Sequence, residues 1–74
     1  MKIDSIIIKM VLKVIEIIGT SPESFEGALA EAVAKAGKTV RGIVGVDVVG
    51  QTAKVSDGKI TEYRVTAKVA FGVE

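Results

Sequence analysis

The chain has no cysteine, no histidine and no tryptophan, and among its 74 residues there is one proline, one tyrosine and two phenylalanines. Without cysteine there is no disulfide framework and no thiolate metal site. Without histidine the usual general base and the commonest metal ligand are both missing, so the expectation is a protein that is not an enzyme. Charge of one sign is also lacking. Ten Lys and Arg stand against nine Asp and Glu, a net charge of +1, which gives no electrostatic grip on nucleic acid or on anionic lipid. No long uninterrupted apolar run exists either. The opening MKIDSIIIKMVLKVIEIIG is broken by Lys9, Lys13 and Glu16. It has no small-residue cleavage site and is too short and too charged to span a bilayer. The expectation is a cytoplasmic protein with no membrane and no nucleic-acid partner.

What is present is apolar: 49% of the residues. A single domain of this length draws only ~3–5 kcal/mol from one core. With no disulfide and no His or Cys metal staple, assembly with further copies of itself is the remaining common source of stability.

Val11 to Ile18 reads as a first strand. Residues 1–9 read as an N-terminal extension, with Met10 a candidate start and 10–74 the domain. One helix follows. Ser21 is placed as its N-cap and Pro22 at its first position, where the missing N–H costs nothing. Phe25, Ala28, Leu29, Ala32, Val33, Ala36 and Val40 recur at i, i+3, i+4, i+7 as one apolar stripe. Glu23 and Glu26 lie in the first turns and Lys35 and Lys38 in the last, complementing the macrodipole. Glu31 and Lys35 form an i,i+4 pair in the favoured order. Gly42 marks the exit into the next strand.

Two strands then flank VSDGKI. Asp57-Gly58 is the signal for a two-residue type I′ hairpin turn. With Ser56 opposite Lys59, the register places Val44 opposite Phe71, Val46 opposite Val69, Val48 opposite Ala67 and Thr52 opposite Tyr63 on an apolar face. The other face pairs Gly45 with Ala70, Asp47 with Lys68, Val49 with Thr66, Gln51 with Arg64 and Ala53 with Glu62. The expected fold is α+β: a β-α-β-β chain whose three-stranded antiparallel sheet packs on one helix. The face away from the helix is the surface a ligand or a partner copy would use. Within it, Gly45 interrupts the valine-rich stretch IVGVDVVGQ, where a glycine has no side chain to pack.

The succession VIEIIGTSPESFEGALAEAVAKA, strand, hairpin and YRVTAKVAFGVE resembles the dodecins over residues 11 to 74. GTS before a phenylalanine-bearing helix and VAF near the C-terminus carry most of the resemblance. It implies a small non-catalytic protein that assembles into a hollow homododecamer and binds or stores flavin, FMN or riboflavin, between protomers. In flavin-binding members a tryptophan stacks on the isoalloxazine ring where this chain has Gly45. A glutamine reads the flavin's polar edge where it has Arg64. Val44 and Gln51 belong to the same region. Glutamine both donates and accepts, whereas arginine only donates. The sequence is similar to a tryptophan-less branch of that family, for which calcium has been proposed as a ligand. Gly45 thus marks either a binding position without its aromatic group or a place where a neighbouring protomer approaches closely.

The calcium candidates are Asp47, Asp57 and Glu62, because calcium takes several oxygen ligands at ~2.3–2.6 Å. Asp47 is more simply accounted for as the partner of Lys68 and Asp57 as a turn residue, and no EF-hand spacing exists. Oxygens from different protomers would have to converge. GIVG from Gly42 to Gly45 matches a KH-type GxxG loop, but it runs straight into a strand. GTS before the helix could seat an anion, a role that capping by Ser21 makes unnecessary.

Overall fold

A computed structural model describes residues 11–73. The extension assigned to residues 1–9 lies outside them. The order is β1 (Val11–Ser21), α1 (Phe25–Ala36), β2 (Ile43–Ser56) and β3 (Lys59–Val73). The strands form one antiparallel sheet in the order β1-β3-β2, so β3 is the central strand and pairs along almost its whole length. This is the β-α-β-β chain expected from the sequence.

The helix begins later than the sequence implied. β1 continues to Ser21, and the N-cap is Ser24, with φ −166° and ψ 160° and its Oγ accepting the Gly27 N–H at 2.8 Å. Ser21 Oγ instead accepts the N–H groups of Glu23 (3.0 Å) and Ser24 (3.3 Å). It fastens the corner between strand and helix, and Pro22 lies in that corner rather than in α1. The helix also stops at Ala36, short of Val40. The amides of Lys38 and Thr39 turn to acceptors three residues back, and the Thr39 hydroxyl also donates to the Ala36 carbonyl, which satisfies terminal carbonyls in a tightened last turn. Gly42 then takes φ +72°, a left-handed conformation that glycine adopts at no steric cost. The Glu31–Lys35 pair forms at 3.7 Å on the exposed side of α1.

The apolar stripe of α1 packs on β1 and β3. Its wholly buried members are Ala28, Ala32 and Ala36, set against Val65, Ala67 and Val69. Small residues on the helix bring it close to the sheet, and Gly19 brings it closer still. A Cβ built there would stand 2.1 Å from the Ala28 carbonyl oxygen and 2.7 Å from Ala32 Cβ. On the same side, Phe25 meets Tyr63 edge to face with ring centroids 5.0 Å apart. Burying one valine contributes about 1.5–3 kcal/mol. Val65 and Val69 are the largest side chains fully buried among the described residues, so this core is small against an ordering cost of about 1.5 kcal/mol per residue.

The hairpin register is partly as expected and partly shifted. The Asp57-Gly58 turn is present, with φ +53° and +74° and Ser56 opposite Lys59. Gly45, Val46, Asp47 and Val48 face Ala70, Val69, Lys68 and Ala67, as the sequence reading has them. Between these two stretches the pairing moves by one residue. The shifts fall at Lys54/Val55 and Val48/Gly50, leaving Thr61 and Val49 without opposite numbers. Gln51 therefore faces Val65 and not Arg64, Thr52 faces Arg64 and not Tyr63, and Ala53 faces Tyr63 and not Glu62. A third shift, between Ile43 and Gly45, gives Phe71 to Ile43 and leaves Val44 as a bulged residue. Bulges bend the strand and raise its twist.

Three dimensions of 59 × 20 × 16 Å and a radius of gyration of 16.1 Å compare with about 11 Å for a compact chain of this length. The accessible surface, 5219 Å², exceeds the roughly 4300 Å² of a monomer of this mass. No helix among the described residues is long and apolar enough to cross a membrane.

Candidate functional site

The sheet has two faces, and alternation along β3 assigns them. Val65, Ala67 and Val69 lie under α1, so Arg64, Thr66, Lys68 and Ala70 point away from it. Antiparallel pairing carries this assignment to both neighbours. The outer face is therefore built in rows across three strands. One is Val14–Ala70–Gly45, the next Glu16–Lys68–Asp47, then Ile18–Thr66–Gly50 and Thr20–Arg64–Thr52. Beyond Ser21, which pairs with Tyr63, β1 has ended, and only β2 and β3 continue as a two-stranded arm.

Gly45 has ordinary strand backbone, because among the described glycines only Gly42 and Gly58 have positive φ. An added Cβ would meet nothing within 4 Å. Nothing in the protomer itself requires glycine there. With Ala70 and Val14 beside it, the position is a shallow apolar platform. Val44, next to it, is bulged and 59% exposed.

Arg64 lies six residues along β3 from Ala70, the partner of Gly45. At about 3.3 Å per residue that is roughly 20 Å, so Gly45 and Arg64 share a face but cannot touch one small molecule from the same protomer. Gln51 belongs to the row of Val65, on the opposite face. A planar flavin ring therefore does not fit the residues of one protomer. They offer it no aromatic plane, and their candidate contacts are too far apart.

Arg64 is itself occupied at one nitrogen. Its Nε donates to Glu62 Oε2 at 2.7 Å, two residues away on the same strand and hence on the same face. The hydrogen bond from Arg64, reinforced by its charge and by that of Lys54 across the hairpin, holds the Glu62 carboxyl below its ordinary value of 4.5, against a weaker upward push from desolvation. This pair was missed in the sequence, although the spacing in EYR is the i, i+2 spacing that puts two strand residues side by side.

The three calcium candidates do not converge. Asp47 faces Lys68, Glu62 faces Lys54 six residues further along β3, and Asp57 sits at the tip of the turn with φ +53°. No cluster of three acidic, His or Cys groups able to hold a metal occurs among the described residues. One protomer thus does not supply the six to eight oxygens that calcium takes.

The family model for dodecin matches residues 11–74. The chain belongs to the dodecin family. Among curated members of the family it is 52% identical over 62 residues to the calcium dodecin of Mycobacterium tuberculosis, covering 82% of this chain and 86% of that one. To the dodecin of Thermus thermophilus it is 34% identical, covering 86% and 93%. The solved dodecin from Streptomyces davaonensis superposes with a TM-score of 0.84 at 31% identity, over 88% of this chain and 96% of that one. The solved Mycobacterium calcium dodecin, described as having a novel calcium-binding site, superposes at 0.76 with 46% identity over 86% and 91%. The dodecin fold is thus the fold of this chain.

Proposed function

We propose that the chain is the non-catalytic, cytoplasmic protomer of a hollow homododecamer that holds a small ligand, and that FMN or riboflavin is bound far more weakly than by tryptophan-bearing dodecins. The assembly rests on the excess of exposed apolar surface over a very small core. The weak flavin binding rests on one observation: at Gly45 the platform is open and carries no aromatic plane, where a stacking contact contributes about 0.5–1.5 kcal/mol beyond burial. Arg64 adds to this, since its donors face a flavin edge that also needs an acceptor.

A second reading, a flavin-free calcium-binding assembly, is favoured by the relative named calcium dodecin. In this reading Asp47, Asp57 or Glu62 of several protomers would have to meet across an interface.

Light scattering at micromolar concentration should give a dodecamer mass, and a folded monomer would refute the assembly. Titrating riboflavin and FMN by fluorescence should show little quenching near stoichiometric protein, and tight quenching there would refute the weak-flavin reading. Calorimetric titration with calcium decides the second reading, since an absence of heat at millimolar calcium removes it.

A further inference from the structure

Between α1 and β1 runs a groove of about 400 Å³, lined by Ile15, Ile17 and Gly19 of β1 and by Ala32 and Ala36 of α1. The Glu31–Lys35 pair also borders it and adds no net charge. Ile17, Ile18, Gly19 and Thr20 line it in unbroken succession. Strand side chains alternate between faces, so such a run places the main chain of β1 itself along the groove. Among the described residues β1 has a hydrogen-bonded neighbour, β3, on one side only. Its other side presents main-chain donors and acceptors that a further strand can pair.

Ten residues, MKIDSIIIKM, precede β1 and lie outside the stretch that the dodecin model matches. Fully extended they reach about 33 Å at about 3.3 Å per residue, enough to run the length of β1. We propose that residues 4–10 of a second copy add to the free edge of β1 as an antiparallel strand, and reciprocally, so that two sheets join across a two-fold axis. In the register that fits, Met10, Ile8 and Ile6 stand opposite Ile15, Ile17 and Gly19 on the helix side and cover the groove. Lys9, Ile7 and Ser5 stand opposite Glu16, Ile18 and Thr20 on the outer face. That matches opposite charges, two isoleucines and two hydroxyls. A slip of one residue either way turns Lys9 into the apolar groove.

The same segment of the chain's own copy fits worse. Its tightest return turns at Lys9-Met10, and neither is the glycine, asparagine or aspartate that a two-residue hairpin turn favours. That return sets Asp4 opposite Ile15 and Lys2 opposite Ile17, charges against apolar side chains. A return in the favoured register would need Val11 to Val14 as its loop, and these residues are paired with β3. The inference rests on the assembly reading above only in needing a second copy.

The test exploits the absence of cysteine. Ile7→Cys with Ile18→Cys puts one thiol on each side of a single pair, and Ile18 is 62% exposed, so the fold should tolerate it. The full chain is oxidised in native buffer, run on a denaturing gel without reductant, and its linked peptides are identified by mass spectrometry. The expected product is a dimer joined from position 7 of one chain to position 18 of the other. Ile8→Cys with Ile18→Cys sets the thiols on opposite faces and should link at least about tenfold less, since a disulfide needs Cβ atoms about 3.5–4.5 Å apart. Links within one chain, equal linking in both variants, or thiols that stay free overturn the proposal. Hydrogen exchange on the unaltered chain serves if a variant fails to fold. The amides of Ile15 to Gly19 that face away from β3 should exchange at least about tenfold more slowly than those of an open strand edge, and unprotected amides there overturn it. Light scattering separates this from the dodecamer. A dodecamer without the 7-to-18 link removes the strand addition alone, and a dimer carrying the link removes the dodecamer alone.

Discussion

β1 and β2 flank the same central strand and are both rich in valine and isoleucine, yet they meet different fates. β1 lies under α1, brings the helix into contact through Gly19, and shares in the buried core. β2, the longer of the two at 14 residues, contains no buried residue. Val44, Val46, Val48, Val49 and Val55 on it are all among the exposed large apolar side chains. The difference is on the helix side alone: α1 packs on β1 and β3, while both strands are sheet edges and β1 too exposes Val11, Leu12, Val14 and Ile18. Three register shifts also fall in the β2–β3 pairing and none is recorded between β1 and β3. Bulges are common at sheet edges, and β2 is an edge strand.

The two glycines on these strands give the widest contrast. Gly19→Val should abolish the fold. Its Cβ alone would collide with the Ala28 carbonyl and Ala32, and neither the helix backbone nor a buried alanine can move aside, so the loss should exceed about 3 kcal/mol. Gly45→Ala meets nothing in the protomer and should leave the stability unchanged or raise it by up to about 1 kcal/mol. Chemical denaturation of both variants measures the pair. A destabilised Gly45→Ala would show that Gly45 serves close approach between protomers and not ligand binding.

The openness of β2 yields the next effect. Val49 is bulged and 52% exposed, so Val49→Asp in an isolated protomer should change stability by no more than about 0.5 kcal/mol. In the proposed assembly the same substitution places a charge at a covered apolar surface and should reduce the particle to smaller species. Light scattering and circular dichroism on the same sample separate the two. A full-size dodecamer with Val49→Asp would mean that this part of β2 faces solvent in the assembly.

The same asymmetry explains what the sequence revealed and what it hid. The helix stripe was legible because Ala28, Ala32 and Ala36 alternate with charged residues at a period that only a half-buried helix produces. The Asp57-Gly58 turn was legible because both residues must take positive φ. The register of residues 50–54 was not. Strand alternation fixes register when one face is buried, and on β2 neither face is buried by its own chain. Threonine, alanine, valine and glycine fit either side, so a one-residue shift costs little in pattern. The N-cap was misplaced for a related reason. Ser21 and Ser24 are equivalent by composition, and the choice between them depends on how far β1 pairs with β3. Of the candidate site, the sequence marked Gly45 and Arg64 as positions. The distance between them, and the capture of Arg64 by Glu62, emerged only from the rows of the sheet.

The two serines at the β1–α1 corner provide a smaller test. Ser24→Ala removes the side-chain acceptor of the Gly27 N–H and should cost about 1 kcal/mol, a usual value for an N-cap. Ser21→Ala loses two longer bonds outside the helix and should cost less, by thermal unfolding under identical protein concentration. The reverse order would restore Ser21 as the cap.

The smallest effect belongs to the outer face. Glu62 is held below its ordinary carboxyl value chiefly by the hydrogen bond from Arg64. A carboxyl whose folded pKa is lowered adds stability above its unfolded value and loses that stability as pH falls through the lowered folded value. The window therefore lies below 4.5, the ordinary value, and the protein should be indifferent to this pair at neutral pH. The pair is half-buried at the surface, so added salt should shrink the effect further. A carbon-detected NMR titration of the Glu62 carboxyl reads it directly. In the parent its midpoint should lie below 4.5, and in Arg64→Gln it should rise toward that value, because an amide side chain keeps a hydrogen-bond donor but brings no charge. A midpoint that does not respond to Arg64→Gln would mean that Glu62 does not orient Arg64. The guanidinium would then be free to swing instead of being held along the strand by Glu62.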